Sequence, residues 1–152
     1  MIPRIYIDTS VIGGYFDTEY ETESRQLWNE FKEGKKTIVV SDLVLLELEE
    51  APERVRQLLD KLPSESIEYA ALDEESVALA NAYLQDGAVA ESSLSDARHI
   101  AIATVTRVDA LVSWNFRHIV NLNRIRRFNA VNLKLGYPAI EIRSPREVLN
   151  EG

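Results

Sequence analysis

Three acids of this sequence, Asp8, Glu47 and Asp96, stand where a protein could use them together to hold a divalent cation. Asp8 directly follows a short apolar segment, Glu47 lies a few residues beyond a second one, and Asp96 opens a helical pattern that leads to a third. Carboxylates brought close together repel one another and must share protons or a cation. A divalent cation beside a phosphodiester lowers the pKa of water and stabilises charge on the phosphoryl oxygens. The acids therefore indicate metal-assisted phosphodiester chemistry.

Each acid taken alone has an ordinary structural explanation. Asp8 could cap a helix or sit in a turn, and Asp96, which follows Ser95, could cap the helix that it opens. Glu47 lies in a Leu-Leu-Glu-Leu-Glu-Glu run, where an acid is usually exposed on a helix surface. Only the combination of the three favours a site.

Composition limits the kind of metal. The chain has no cysteine and only two histidines, His99 and His118. A thiolate site is therefore excluded, and oxygen ligands of this type favour Mg²⁺ or Mn²⁺. His99 stands three residues after Asp96 and could border the site, although packing in the core is the simpler interpretation for both histidines.

The elements that must position these acids are read from the apolar pattern. Short apolar runs predict strands buried on both faces at residues 5–7, 37–40 and 110–112. A later strand is predicted at residues 139–142, and a weaker pattern predicts one at residues 67–69. Helical spacing predicts helices between them, at residues 24–31, 43–48, 53–62, 74–84 and 95–105. Alternating strands and helices predict a three-layer α/β/α fold with an open, mostly parallel central sheet. Residues 1–152 contain no linker or repeat and are expected to form one domain.

Ligands of open parallel sheets bind beyond the carboxyl ends of the strands. Asp8 and Thr9 follow the first predicted strand, and Ser113 and Asn115 follow the strand at 110–112. We therefore expect these side chains to meet Glu47 at one edge of the sheet. Thr9 and Ser113 are candidates to contact a substrate phosphate, although Thr9 could equally begin a helix.

Charge is unevenly distributed along the chain. The total is −8, which speaks against binding a polyanion. Residues 1–97 carry a balance of −13, whereas residues 98–146 carry +7. Arg117, Arg124 and Arg127 belong to the basic part and are candidate contacts for a nucleic-acid backbone. Each could also be an ordinary exposed arginine.

No run of 18 apolar residues is present, and the N-terminal apolar stretch is too short for a signal peptide. We therefore expect a cytoplasmic protein with no membrane contact.

Four segments of the sequence, in order, resemble the PIN-domain nucleases. They are Ile5–Val11 (IYIDTSV), Ser41–Glu47 (SDLVLLE), Asp96–Ala103 (DARHIAIA) and Leu111–Phe116 (LVSWNF). Each segment is weakly specific alone, but four in order with compatible spacing are far more specific. The resemblance extends over roughly residues 4–145.

The resemblance implies a Mg²⁺- or Mn²⁺-dependent ribonuclease with Asp8, Glu47 and Asp96 as metal ligands and catalytic acids. The fourth acid of the family falls on Asn115, which has a carbonyl oxygen to coordinate metal or orient water but brings no charge. Asp109 is no replacement, because it precedes its strand and lies about 10 Å or more from the site at roughly 3.3 Å per residue. The resemblance also implies that the chain could be the toxin of a type II toxin–antitoxin pair, with RNA as substrate, a protein antitoxin as partner and a homodimeric assembly.

Two alternatives remain at this stage. The missing fourth acid leaves open a catalytically weak or inactive PIN-like module that binds RNA or protein. A phosphoacceptor receiver domain also places acids at strand ends, but it requires a lysine shortly after a late strand. That place holds Ser113-Trp114-Asn115, which argues against a receiver.

Overall fold

The computed structural model describes residues 1–150, so the last two positions of the predicted domain, Glu151 and Gly152, lie outside the described residues. Its centre is a five-stranded sheet in the order β3-β2-β1-β4-β5, in which all neighbouring strands are parallel. The strands are β1 (Arg4–Ile7), β2 (Thr37–Ser41), β3 (Ile67–Ala70), β4 (Ala110–Val112) and β5 (Ile142–Arg143).

Helices cover both faces of this sheet, as the predicted α/β/α class requires. They are α1 (Thr9–Gly14), α2 (Glu21–Lys32), α3 (Asp42–Leu48), α4 (Glu53–Arg56), α5 (Glu74–Gln85), α6 (Leu94–Thr106), α7 (Leu122–Lys134) and α8 (Pro145–Val148). None of the helices described within residues 1–150 is long and apolar enough to cross a membrane.

The three central strands, β1, β2 and β4, are apolar on both sides because each face of the sheet has its own core. Side chains alternate along a strand, so Ile5 and Ile7 of β1 point to one face while Tyr6 points to the other. The first face packs against α1, α2 and α3 around Trp28 and Phe31. The opposite face packs against α5, α6 and α7. These two cores hold the carboxyl ends of β1, β2 and β4 at one edge.

Two predicted elements are wrong in extent. The 139–142 strand shrinks to Ile142–Arg143, because the side chain of Asn129 binds both the N–H and the carbonyl of Ile140 and replaces a strand neighbour there. The 53–62 helix is α4 followed by a 3₁₀ turn at Leu59–Lys61. Pro63 favours an extended backbone at Leu62, where the helix could not have continued.

Three helices were not predicted. α1 begins directly after Asp8, and α8 has only four residues. α7 is rich in Asn and Arg and lacks a clear apolar run, yet Asn121 caps it by accepting a hydrogen bond from the Arg124 N–H. Its buried face is narrow and rests on Phe128 and Val131.

Candidate active site

Asp8 lies at the carboxyl end of β1 and is only 5% exposed. It occupies the position before α1, but its side chain makes no capping bond to that helix. Its two carboxylate oxygens instead accept hydrogen bonds from the hydroxyls of Ser10 and Ser113, each at 2.6 Å. Asp8 therefore occupies the N-cap position, as one interpretation of the sequence allowed, but two hydroxyls and not the helix hold its carboxylate in one orientation.

Strand register brings Ser113 to Asp8. Ile7 pairs with Val112 in the parallel β1–β4 ladder, and the Asp8 N–H continues the pairing to the Val112 carbonyl at 3.3 Å. The next residue of each strand is therefore at the same edge, as expected for parallel strands. This register, and not any local motif, places a serine of β4 within hydrogen-bond distance of an acid of β1.

Glu47 reaches the same edge from α3, which starts where β2 ends. Ser41 caps that helix by accepting from the Val44 N–H at 3.1 Å. Glu47 Oε1 then accepts hydrogen bonds from the Thr9 hydroxyl at 3.1 Å and from His99 Nε2 at 2.6 Å. Thr9, predicted as a possible substrate contact, thus positions Glu47.

His99 is 3% exposed, so it is packed in the core, but it also belongs to the site. A carboxylate can only accept, so Nε2 carries a proton toward Glu47, and Nδ1 lies 2.6 Å from the Tyr6 hydroxyl. Ser41 Oγ lies 2.8 Å from that same hydroxyl. The i, i+3 spacing from Asp96 was the available signal for His99, and the core interpretation understated it.

Asp96 lies in the first turn of α6, which begins at Leu94. Within residues 1–150 its side chain makes no hydrogen bond, so the helix-cap interpretation does not hold. Burial raises the pKa of Asp96, as do the negative charges of Asp8 and Glu47, while His99 and His118 act in the opposite direction. Asp96 also lies one helical turn before His99, whose Nε2 bonds Glu47, so α6 brings Asp96 to the same edge as Glu47.

The other two acids respond differently to this environment. Burial raises the pKa of Asp8, although the charge of His99 and the two serine hydroxyls oppose the shift. Burial also acts to raise the pKa of Glu47, but His99, Thr9 and Ser95 outweigh it, and the pKa falls below its usual range. Hydrogen-bond partners in the protein thus stabilise the negative charge of Glu47. The negative charges of Asp8 and Asp96 are stabilised less than burial destabilises them.

Asn115 lies on the turn that follows β4. Its N–H donates to Ser113 Oγ at 2.9 Å, and its side-chain carbonyl accepts from the His118 N–H at 2.9 Å. The amide oxygen therefore already holds this turn, with one lone pair left for a water or a metal ion. Asp109 lies at the other end of β4, where it accepts from the Arg4 N–H at 2.7 Å, as its position in the sequence indicated.

The predicted substrate arginines have different surroundings. Arg117 is exposed on the turn beside Asn115. Arg124 donates to the Ala88 carbonyl at 2.8 Å, and Arg127 donates to the Gly87 carbonyl at 3.2 Å. Two of the three guanidinium groups thus hold the segment after α5.

The donor set suits a hard divalent cation. Within residues 1–150 no three Asp, Glu or His side chains converge closely enough to surround a metal ion by themselves. A small cation such as Mg²⁺ usually keeps several waters and binds proteins through one or two carboxylates. Asp8 and Asp96, whose charges are the least compensated, fit that role, and Glu47 fits the role of a third, adjacent acceptor.

Comparison with known proteins identifies a family and a fold. The model of the PIN domain family matches residues 5–119. No curated protein matches the sequence. Among solved structures, VapBC2 from Rickettsia felis, bound to a DNA fragment from its promoter, is 15% identical with a TM-score of 0.60, over 93% of this chain and 98% of that one.

Two further structures are similar to the same extent. Mycobacterium tuberculosis VapC20, a toxin that cleaves the sarcin-ricin loop, is 15% identical with a TM-score of 0.58, over 90% of this chain and 98% of its own. DNA-bound VapBC from Salmonella typhimurium is 18% identical with a TM-score of 0.57, over 95% of this chain and 99% of that one. At these identities the structural likeness establishes the fold.

Proposed function

This chain belongs to the PIN-domain family, and from that premise we propose that it is a metal-dependent endoribonuclease that hydrolyses RNA phosphodiester bonds. The observation that carries the proposal is the pair of hydrogen bonds that Glu47 accepts at the carboxyl edge of the sheet. One comes from Thr9, the residue after Asp8, and the other from His99, one helical turn after Asp96. The charge of an oxygen-bound Mg²⁺ or Mn²⁺ relieves the repulsion among these acids, and no thiolate competes for it.

The residues of the site divide into acids and the groups that orient them. Asp8 and Asp96 are the proposed metal ligands, with Glu47 as a further ligand or as the acceptor for a metal-bound water. Ser10 and Ser113 orient Asp8, while Thr9 and His99 orient Glu47. Asn115 is proposed to orient water with its remaining lone pair. The chemistry that the bound cation supplies is activation of water and neutralisation of phosphoryl charge.

The biological setting is a second part of the proposal. Similar structures include a toxin that cleaves an RNA loop and two VapBC complexes. We therefore propose that this chain is the toxin of a toxin–antitoxin pair, acting in the cytoplasm as one domain and as a homodimer. A protein antitoxin is the proposed partner.

A matched pair of variants tests the catalytic assignment. Asp8→Asn removes one charge at the carboxyl edge, and Asp109→Asn removes one at the opposite edge while it keeps an oxygen acceptor for the Arg4 N–H. Mn²⁺-dependent cleavage of single-stranded RNA should fall at least about 100-fold in the first variant, beyond the loss typical of outer-shell changes. The second should cleave like the wild type. Undiminished cleavage by Asp8→Asn would contradict the proposal.

One observation favours the alternative of a binding module. The Asn115 carbonyl is occupied by the His118 N–H, so the fourth position lacks both a charge and one of its lone pairs. Titration calorimetry with Mn²⁺ separates the two readings, because a binding module has no need of the cation. No heat of binding at millimolar Mn²⁺ would favour the module.

A further inference from the structure

Phe116 is a large apolar side chain that the fold leaves 47% exposed beside the candidate active site. It lies on the turn after β4, directly after Asn115. An isolated exposed apolar residue is common on protein surfaces and needs no explanation by itself. The support behind this ring and its attachment to the acids make it different.

A stack of aromatic side chains lies behind Phe116. Its ring meets the Trp114 ring edge-on, with centroids 6.1 Å apart, and Trp114 in turn stacks on Tyr20 at 4.3 Å. Trp114 Nε1 donates to Ser24 Oγ at 2.8 Å, which fixes the indole in its plane. A Cβ atom at Gly14 would come within 2.8 Å of the same indole, so the packing is close. Phe116 therefore rests on a rigid base.

The backbone that carries Phe116 is tied to Asp8. The Trp114 N–H donates to Ser10 Oγ and the Asn115 N–H to Ser113 Oγ, each at 2.9 Å. These two hydroxyls are the groups that hold the carboxylate of Asp8. The backbone next to Phe116 is thereby tied to the hydroxyls that orient Asp8.

Charge alone gives the candidate active site little attraction for RNA, so an uncharged contact would add to the affinity. The acids repel phosphate, the chain carries a charge of −8, and Arg124 and Arg127 are bound to backbone carbonyls. Aromatic side chains bind single-stranded nucleic acids by stacking on unpaired bases, at about 1–3 kcal/mol per base and with little dependence on sequence. Stacking supplies affinity that does not depend on net charge.

We propose that Phe116 is a stacking platform for an unpaired base next to the phosphodiester that is cut, so that the substrate is RNA whose bases are splayed out at the site. This inference rests on the proposed ribonuclease function. Arg117, exposed on the same turn, lies where it can meet the phosphate of the stacked nucleotide.

The test compares Phe116→Leu, which keeps apolar bulk but loses the aromatic face, with Phe116→Trp, which keeps that face. Leu133→Ala is the control, because Leu133 is another apolar side chain that is 64% exposed. It lies near the C-terminal end of α7, whereas Phe116 precedes the N-terminal end of that helix. We expect Phe116→Leu to raise KM for single-stranded RNA about tenfold with kcat unchanged, as loss of one stacked base predicts. Phe116→Trp and Leu133→Ala should resemble the wild type.

Base dependence sharpens the test. With Phe116 intact, one abasic position near the cut should weaken binding by the same factor as Phe116→Leu, and the two changes together should cost no more than either alone. Binding is measured by fluorescence anisotropy in the Asp8→Asn background, so it does not depend on cleavage. Equal RNA affinities of Phe116→Leu and its parent would overturn the inference, whereas absence of cleavage by the wild type would overturn only the ribonuclease proposal.

Discussion

His99 Nε2 lies 2.6 Å from Glu47 Oε1, joining two helices whose residues are far apart in the sequence. The buried imidazole is held from behind by the Tyr6 hydroxyl, so its donor points at the carboxylate. Glu47 keeps about a third of its side-chain surface exposed and can still present an oxygen to solvent. His99 is thus a positioning residue for the acid that α3 contributes.

Replacing His99 should therefore weaken metal binding as well as stability. His99→Phe keeps a ring but loses both hydrogen bonds, and loss of such an outer partner typically costs about 10–100-fold in metal affinity or activity. Tyr83→Phe is the control, because it removes a buried hydrogen bond to Asn132 away from the site. Both variants should unfold at lower temperature, but only His99→Phe should bind Mn²⁺ more weakly by calorimetry. Equal Mn²⁺ affinity in the two would assign His99 a purely structural role.

Asp8→Asn should stabilise the metal-free protein while it abolishes cleavage. Burial raises the pKa of Asp8 above that of an unfolded aspartate, so its ionisation at neutral pH lowers the free energy of unfolding. Each kcal/mol recovered corresponds to about 2–4 °C in Tm for a chain of this size. Calorimetric scans at pH 7 should show a higher Tm for the variant in chelator, and a Tm increase on Mn²⁺ addition only for the wild type. A lower Tm for the variant in chelator would contradict this account.

The wild type should bind one metal ion before RNA arrives. Three carboxylates with a neutral Asn115 leave too little charge for two adjacent cations, and the substrate phosphate would supply the remainder. Asn115→Asp keeps the oxygen that accepts from the His118 N–H and adds the fourth charge. Mn²⁺ calorimetry without RNA should report one site in the wild type and a second in the variant. Two tight sites in the wild type would refute the argument.

Arg117 is an exposed predicted phosphate contact, whereas the guanidinium groups of Arg124 and Arg127 donate to backbone carbonyls. Arg117→Gln should weaken RNA binding and reduce the slope of log K against log salt by about 1. Arg126→Gln, at an exposed arginine of α7, is the charge-matched control and should leave the slope unchanged. An unchanged slope in both variants would remove Arg117 from the substrate contacts.

Acid should weaken the fold in part through Glu68 on the edge strand β3. The hydrogen bond from Arg4 lowers the pKa of Glu68, against the effect of burial. The pair therefore stabilises the folded state fully at pH values above the pKa of an unfolded glutamate. This stabilisation is lost as pH falls through the lower pKa of Glu68 in the folded state. The side chain is 37% exposed, so solvent limits the gain to at most about 1 kcal/mol. The destabilisation caused by Glu68→Gln in urea unfolding should shrink between pH 7 and pH 3. The exposed Glu50→Gln is the control and should show no such trend.

Local pattern was sufficient for most of the framework. Four of five strands were predicted to within a residue of either end. Three of them, β1, β2 and β4, are buried parallel strands that read as continuous apolar runs. The positions of Asp8 and Ser113 after their strands follow from the same pattern. Short helices such as α1 and the polar α7 escaped prediction, because neither has a long apolar stripe.

The sequence by itself determined that Asp8 and Ser113 directly follow two parallel strands. Strand period and chain direction then put both side chains at one edge of the sheet. Tertiary structure alone decided which side chains hold them. The contact of His99 with Glu47 spans 52 positions in the sequence. It exists because α3 and α6, which pack mainly on opposite faces of the sheet, both reach its carboxyl edge. The same packing turned Arg124 toward the Ala88 carbonyl, 36 positions away. Such contacts depend on the relative placement of elements, which hydrophobic periodicity does not encode.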